Sequence, residues 1–478
     1  MSSVKEDTIR GTKWSAIGKF SVQGINFIMG LIIARILSPS DYGIVGMLAI
    51  FIAIGQSFVD SGFSNALIRK IDRTEIDCST VFYFNIAVGA VSYGVMYIIA
   101  PWVADFYETP ILNDVLKVLG LNLFINSLAV VQIARITINI DFKTEAKASA
   151  LSSLCSGIIG IVLAYSGYGV WSLVWQSVSQ AIINVFSLWT FTKWKPLFVY
   201  SWKSFHNLFS YGSKILLSGL LNTVYSNMST LVIGKFYSAD DLGYYTRGVQ
   251  IGMLPSHNFT AILQKVTFPI FAKLQNDDEQ LIRVYRRYIC LTSMCIFYCM
   301  MLMVAVSKPL IEILLTSKWL EATIYLQLFC FAQMFDHLCA INLNLLQVKG
   351  RSDLFLRLEI IKKTISFAIL LASIPFGVIA ICASKILYSQ IAVYINTYYT
   401  GKFFNLGYTD QFKDYYIFLL YSFIACIPAY FISIVVTNIY LSLIIGSIVS
   451  LLIYYNLLRK NEHMNYIVLL FKHYLFKK

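Results

Sequence analysis

A chain of 478 residues that is 58% hydrophobic and only 13% charged, with mean hydropathy +0.67, is not a water-soluble protein; soluble domains carry about 25% charged and about 45–50% apolar residues. The apolar residues fall in long blocks rather than alternating, which excludes an outer-membrane barrel. The net charge of +13 reads as the Lys and Arg that collect in the cytoplasmic loops of membrane proteins, not as a nucleic-acid surface. The expected fold class is therefore an all-α polytopic membrane protein.

A helix needs about 20 apolar residues to cross the hydrocarbon core. On that rule the sequence predicts about fourteen transmembrane helices, near residues 14–37, 42–66, 79–100, 112–136, 148–166, 169–191, 208–236, 242–268, 287–306, 322–346, 355–374, 377–399, 415–436 and 439–457. The polar start Met1–Lys13 leads into the first block without a small-residue cleavage site, so that block reads as an uncleaved span. The loops then alternate. One set carries Arg69, Lys70 and Arg73; Lys143 and Lys147; Lys193, Lys195 and Lys203; Lys273, Arg283, Arg286 and Arg287; Lys349, Arg351, Lys362 and Lys363; Lys402 and Lys413, whereas the other holds only Lys308 and Lys318. By the positive-inside rule the first set and both termini are expected in the cytoplasm. In the tail, Met464, Ile467, Val468, Phe471 and Leu475 at helical spacing beside Lys472, Lys477 and Lys478 predict an amphipathic helix on the inner leaflet. The nine cysteines form no CxxC pair and read as small apolar packing residues.

The chain also resembles itself. Residues 33–43 align with 233–243, matching Ile33 with Ile233, Arg35 with Lys235, Ser38 with Ser238, Asp41 with Asp241 and Gly43 with Gly243. Further on, Pro101 pairs with Pro309 and Gly169-Val170 with Gly377-Val378. These matches predict an N-terminal six-helix lobe (1–200), a second six-helix lobe (201–402), two additional transmembrane helices (403–458) and a cytoplasmic tail (459–478). Six is an even number, so the repeats run parallel rather than inverted. Two such bundles around a central cavity would work as a transporter by alternating access.

The stretch Gly11-Thr12-Lys13-Trp14, the segment Ala34-Arg35-Ile36-Leu37-Ser38-Pro39-Ser40-Asp41-Tyr42-Gly43, the segment Asp60-Ser61-Gly62-Phe63-Ser64-Asn65-Ala66-Leu67-Ile68, and Gly167-Tyr168-Gly169-Val170-Trp171-Ser172-Leu173-Val174 resemble the polysaccharide-transporter branch of the MOP flippase superfamily. Within it, the likeness is to Wzx-type exporters of the colanic-acid and teichuronic-acid kind. The resemblance implies a multi-pass protein of the bacterial inner membrane that flips an undecaprenyl-diphosphate-linked oligosaccharide from the cytoplasmic to the periplasmic leaflet, for lipopolysaccharide or exopolysaccharide assembly. It implies as partners the lipid-linked oligosaccharide, membrane lipids, and the polysaccharide polymerase and chain-length machinery. Multidrug and other lipid exporters share the fold, so the fold alone assigns no cargo.

Charged side chains at membrane depth are costly and mark candidate sites. Arg35, Lys235 and Arg135 lie near span ends and are expected to snorkel or anchor. Lys19, Lys214, Arg247 and Lys385 lie deeper; they suit a diphosphate headgroup, or are structural cations that meet water or an internal partner. Asp60, Asp336 and His337 are candidates to carry a coupling proton or sodium ion, with Asp336 alternatively the counter-ion of a cation such as Lys385. Gln23, Asn26, Asn222 and Asn227 can hydrogen-bond sugar hydroxyls or glue helices together. Pro255 marks a gate or a fixed bend.

An enzyme is the competing class. A membrane polysaccharide polymerase would need a sizeable outward loop or a membrane-side acidic cluster, and Asp105 and Glu108 are alone in theirs. Walker, GxSxG and metal-ligand motifs are absent from the sequence. The expected function is therefore secondary or facilitated transport with no cofactor, and cavity cations favour anionic cargo over cationic drugs.

Overall fold

The computed structural model describes residues 2–60 and 62–464, and regular structure among them is helical. The chain divides into two compact units, Met1–Gly243 and Tyr244–Lys478. It is an all-α polytopic membrane protein. Nine helical segments of the described residues are long and apolar enough to cross a membrane, and a bent pair makes a tenth. The expected tail helix falls mostly on residues 465–478, outside the described residues.

The first unit contains α1 (Ser2–Ile36), α2 (Pro39–Asp60), α3 (Phe63–Arg69), α4 (Glu75–Phe106), α5 (Ile111–Ser127), α6 (Val130–Ile138), α7 (Phe142–Tyr165), α8 (Val170–Thr192), α9 (Trp202–Phe236) and the start of α10 (Ala239–Lys273). Helix α7 packs closely because its inner face is a column of small residues: Ala148, Ser152, Ser153, Ser156, Gly157, Gly160 and Ala164 are buried. A Cβ at Gly157 would stand 2.5 Å from Met29 Cγ, and one at Gly160 would stand 2.9 Å from Ile33 Cδ1. Small side chains thus let α1 approach α7 where lipid offers no hydrophobic drive to association. At the other end of the unit, Phe63, Leu67, Val81, Phe82, Val131, Trp194 and Leu208 form an apolar core.

The second unit contains the rest of α10, α11 (Asp278–Ala305), α12 (Ser307–Leu315), α13 (Ala322–Gln333), α14 (Asp336–Val348), α15 (Ser352–Ser373), α16 (Val378–Phe404), α17 (Tyr408–Val435) and α18 (Ile439–Leu458). Its interior carries a polar seam. Asn342 Oδ1 accepts from Tyr285 Oη at 2.8 Å, Thr400 Oγ1 at 2.8 Å and Gln411 Nε2 at 3.1 Å, while Asn342 Nδ2 donates to Gln411 Oε1 at 2.9 Å. All four residues are buried, so the bonds hold α11, α14, α16 and α17 in register; a buried polar group left unmatched costs about 1–3 kcal/mol.

Within three expected spans the helix is interrupted, although the segments Pro39–Arg69 and Ala322–Val348 still each count as one span. The span near 42–66 parts after Asp60, where Gly62 takes φ +69°. That near 112–136 becomes α5 and α6, bent by 42°; the indole Nε1 of Trp189, on α8, donates to Leu128 O at the bend at 2.9 Å. That near 322–346 becomes α13 and α14, and Ser256 Oγ of α10 donates to Gln333 O at 3.4 Å. Donors from neighbouring helices reach carbonyls at two of the breaks, which makes them tolerable inside a bilayer.

The similar segments 33–43 and 233–243 adopt the same local turn. Helices α1 and α9 are both 35 residues long, ending at Ile36 and Phe236 and followed by helices starting at Pro39 and Ala239. Both turns close alike: Ser38 Oγ donates to Asp41 Oδ2 at 2.6 Å and Ser238 Oγ to Asp241 Oδ2 at 2.7 Å, with Asp41 and Asp241 backbone N–H groups donating back. The two turns meet through their glycines. A Cβ on Gly43 would lie 1.8 Å from Ala239 O, and one on Gly243 would lie 2.0 Å from Pro39 O.

Candidate functional site

In the first unit the polar side chains form stripes. Along α1, Ser15, Lys19, Gln23 and Asn26 recur every three or four residues; all but half-buried Gln23 are exposed. Along α9 the sequence Tyr211, Lys214, Ser218, Asn222 does the same, each exposed. Each stripe carries one Lys among hydroxyl and amide side chains, so both faces suit water or a polar ligand. Asn227 lies half-buried above this stripe and donates to Thr223 O at 2.9 Å within its own helix.

Helix α9 is held against α2 and α3 by close contacts. Ser57 Oγ and Thr223 Oγ1 hydrogen-bond at 3.0 Å. Gly62 admits Gly212, whose carbonyl oxygen would lie 2.4 Å from a Cβ on Gly62, and Phe63 stacks on Phe205 with ring centroids 5.7 Å apart. The linker before α9 is tied down too: Trp194 Nε1 donates to Glu75 Oε2 at 2.7 Å, Leu197 N to Ser79 Oγ at 2.9 Å and Ser201 N to Thr80 Oγ1 at 3.1 Å. Asp60 stands at the C-terminal end of α2 rather than inside a continuous helix. It accepts from Gln56 Nε2 at 2.9 Å, and Gln56 Oε1 accepts from Asn126 Nδ2 at 3.0 Å.

Among the residues read as anchors, Lys235 Nζ donates to Phe106 O at 2.6 Å and Glu108 Oε1 at 3.2 Å. Arg135 pairs with Glu75 at 2.7 Å and lies over the Trp194 ring. Arg35 is exposed.

In the second unit, Lys385 Nζ donates to Tyr245 Oη at 2.6 Å. Arg247 Nη1 donates to Gln250 Oε1 at 2.6 Å. Residues two apart on a helix diverge by about 200°, so Tyr245, which carries Lys385, and Arg247 occupy different faces of α10. Asp336 is the first residue of α14, at the break after α13. Lys385, the cation read as its alternative counter-ion, donates to Tyr245. His337 is buried, with Nε2 2.9 Å from Ser293 Oγ and its ring edge-on to Phe297. Pro255 is half-buried, and the helical assignment of α10 runs unbroken through it and through Pro269.

Sequence reasoning missed two cations. Lys362, counted among the loop cations, is only 6% exposed inside α15 and pairs with Glu359 at 2.5 Å. The Glu-x-x-Lys spacing was the available signal, since side chains three apart share a helix face. Arg69, read only as a topology cation, lies over the Tyr211 ring at 4.6 Å; no local pattern joins residues so far apart in sequence. Among the described residues no group of three or more His, Cys, Asp or Glu side chains is placed to hold a metal ion.

Comparison with known proteins gives a consistent result. The family described as "Polysaccharide biosynthesis protein" matches residues 32–324. The chain is 27% identical over 361 residues to the teichuronic acid biosynthesis protein TuaB of Bacillus subtilis (strain 168), covering 74% of each chain. It is 22% identical over 366 residues to the lipopolysaccharide biosynthesis protein WzxC of Escherichia coli (strain K12), covering 75% of this chain and 74% of that one. Among solved structures, the lipid II flippase MurJ in an inward closed conformation superposes with a TM-score of 0.75 at 15% identity, covering 93% of this chain and 97% of that one. At that identity the likeness speaks for the fold.

Proposed function

The chain belongs to the polysaccharide biosynthesis protein family, and from that premise we propose that it is a flippase moving a lipid-diphosphate-linked oligosaccharide from the cytoplasmic to the outer leaflet of the bacterial inner membrane. The observation that carries this reading is the exposed cation-bearing stripe on α9, with Lys214 between Tyr211 and Ser218. Such a stripe suits a headgroup that is anionic at its diphosphate and rich in hydroxyls along its sugars. Lys19 on α1, and Arg247 and Lys385 in the second unit, are the further cations we assign to the headgroup path. Gln23, Asn26, Asn222 and Asn227 are assigned to the sugars. Asp336, His337 and Asp60 are the groups we assign to ion coupling, and Pro255 to the bending of α10.

The architecture we infer is fourteen spans. α2 with α3, α5 with α6, and α13 with α14 each count as one span. Two parallel six-helix repeats are followed by α17 and α18, and the cation-rich loops face the cytoplasm. The recurrence of helix ends and capped turns in α1–α2 and α9–α10 supports the repeat. Alternating exposure of the headgroup to the two leaflets, driven by an ion gradient rather than by ATP, is the corresponding mechanism.

The test is complementation of a deletion strain. Arg247→Ala and Lys385→Ala are expected to insert normally yet lose surface polysaccharide, with lipid-linked oligosaccharide accumulating on the inner leaflet. Full export by both variants would overturn the headgroup assignment. A deletion strain with unaltered surface polysaccharide and new drug sensitivity would favour multidrug export instead.

A further inference from the structure

The C-terminal end of α3 and the loop after it hold three cations, Arg69, Lys70 and Arg73, and the fold treats them differently. Lys70 Nζ is bound to Asp77 at 2.7 Å. Arg73 donates to Lys70 O at 2.9 Å and Ile68 O at 3.5 Å, so its charge caps the carbonyl end of α3. Arg69 is exposed and its guanidinium lies over the Tyr211 ring at 4.6 Å. A guanidinium stacked on a ring keeps its N–H fork free in its own plane, which is the geometry that grips phosphate oxygens in pairs.

This Arg borders a cavity of 380 Å³ that is also lined by Lys70, Asp72, Asn207 and Tyr211. The volume is at the lower end of the range of about 300–1,000 Å³ for small-molecule sites. The chemistry of the lining is mixed: two cations, of which Lys70 is paired with Asp77 and Arg69 is turned to the Tyr211 ring, and a carboxylate and an amide that can hydrogen-bond hydroxyls. The cavity also leads directly onto the polar stripe, because Asn207, Tyr211 and Lys214 lie four and three residues apart on α9.

We infer that the Arg69–Tyr211 pocket is a loading subsite for the glycosyl-diphosphate headgroup, where Arg69 takes the diphosphate and Asp72 and Asn207 take the first sugar before the headgroup reaches Lys214. The inference rests on the flippase reading above and adds a place where cargo is first held. It also explains why, among the described residues, Arg69 forms no ion pair while its neighbours are committed to structure.

The test uses the purified full-length chain in detergent and farnesyl diphosphate as probe, with inorganic diphosphate and farnesol as comparison arms. Two charge-assisted bonds lost should weaken farnesyl diphosphate binding by about tenfold or more in Arg69→Ala. Arg69→Lys, which keeps charge but not the fork, should fall between Arg69→Ala and wild type. Tyr211→Leu should also weaken binding, and Arg351→Ala, in the other unit, should not. Unchanged melting temperatures identify the losses as binding effects, and Arg69→Lys keeps the test decisive if Arg69→Ala misfolds. Wild-type affinity in both Arg69 variants, with loss in Lys385→Ala or Arg247→Ala, would overturn the loading subsite and leave the flippase reading standing. Equal affinity for inorganic diphosphate would make the pocket a free-anion site and overturn the lipid-linked assignment. No binding of farnesyl diphosphate by the wild type would overturn both.

Discussion

Replacing Gly43 with alanine tests the paired turns most sharply. The new Cβ would lie 1.8 Å from Ala239 O and 2.6 Å from Ala239 C, both backbone atoms that no rotamer change can move. Carbon–oxygen contacts settle no closer than about 3.3 Å, so the two helix starts must part by roughly 1.5 Å. Over-packing of this kind costs about 1–3 kcal/mol, which for a unit of this size lowers the melting temperature by about 2–12 °C. Gly24→Ala supplies the control, since a Cβ there meets nothing within 4 Å and a glycine inside a helix gains about 0.5–1 kcal/mol on becoming alanine. Gly243→Ala, whose Cβ would lie 2.0 Å from Pro39 O, should behave like Gly43→Ala. The double variant should cost less than the sum, because one separation relieves both clashes. Thermal unfolding in detergent followed by intrinsic fluorescence reads the series. Equal melting of Gly43→Ala and Gly24→Ala would refute the contact.

Other outcomes follow from single contacts. Gly62→Ala combines φ +69° with a carbonyl 2.4 Å from the new Cβ and should lose more than the about 1–2 kcal/mol of left-handed strain alone, read as a melting shift. Arg286→Ala strips a bidentate partner from Asp414, whose side chain is 8% exposed; the expected loss is about 1–2 kcal/mol, smaller than for a fully buried pair because Arg286 itself is half exposed, and Asp414→Asn in the same background should recover part of it. Glu75→Ala frees Trp194 and Arg135 together, so hydrogen exchange should accelerate across residues 193–201 and leave α16 unchanged. Thr74→Ala removes the N-cap of α4 and should cost about 1 kcal/mol.

The helical membrane class was legible from composition and block length, and Lys19, Gln23, Asn26, Lys214 and Asn222 one by one, whereas their alignment along exposed faces of α1 and α9 came with the structure. The repeated Ser-x-x-Asp turns were legible for a local reason: each cap lies within four residues of chain. Other features were not legible, because their causes are distant in sequence. At the bend, Leu128 O accepts from Trp189, 61 residues away, and the break after Gln333 has Ser256 beside it from 77 residues away. Hydropathy alone counts both as continuous. The same holds for Lys362, which charge counting assigns to a loop and packing buries, and for Tyr245, whose hydroxyl gives Lys385 a partner inside the second unit. Pro255 reads as a gate or a fixed bend, and α10 stays helical through it.

The most direct measurement is headgroup movement in reconstituted vesicles. Purified chain in liposomes is supplied with a polyprenyl-diphosphate oligosaccharide bearing a fluorophore on its sugar, and the leaflet is read by a membrane-impermeant quencher. Wild-type protein should carry the label from one leaflet to the other, at a rate that Lys214→Ala and Lys385→Ala reduce without changing reconstitution efficiency. Vesicles in which wild-type protein leaves the label on its starting leaflet, under an imposed proton or sodium gradient as well as without one, would contradict the flippase assignment.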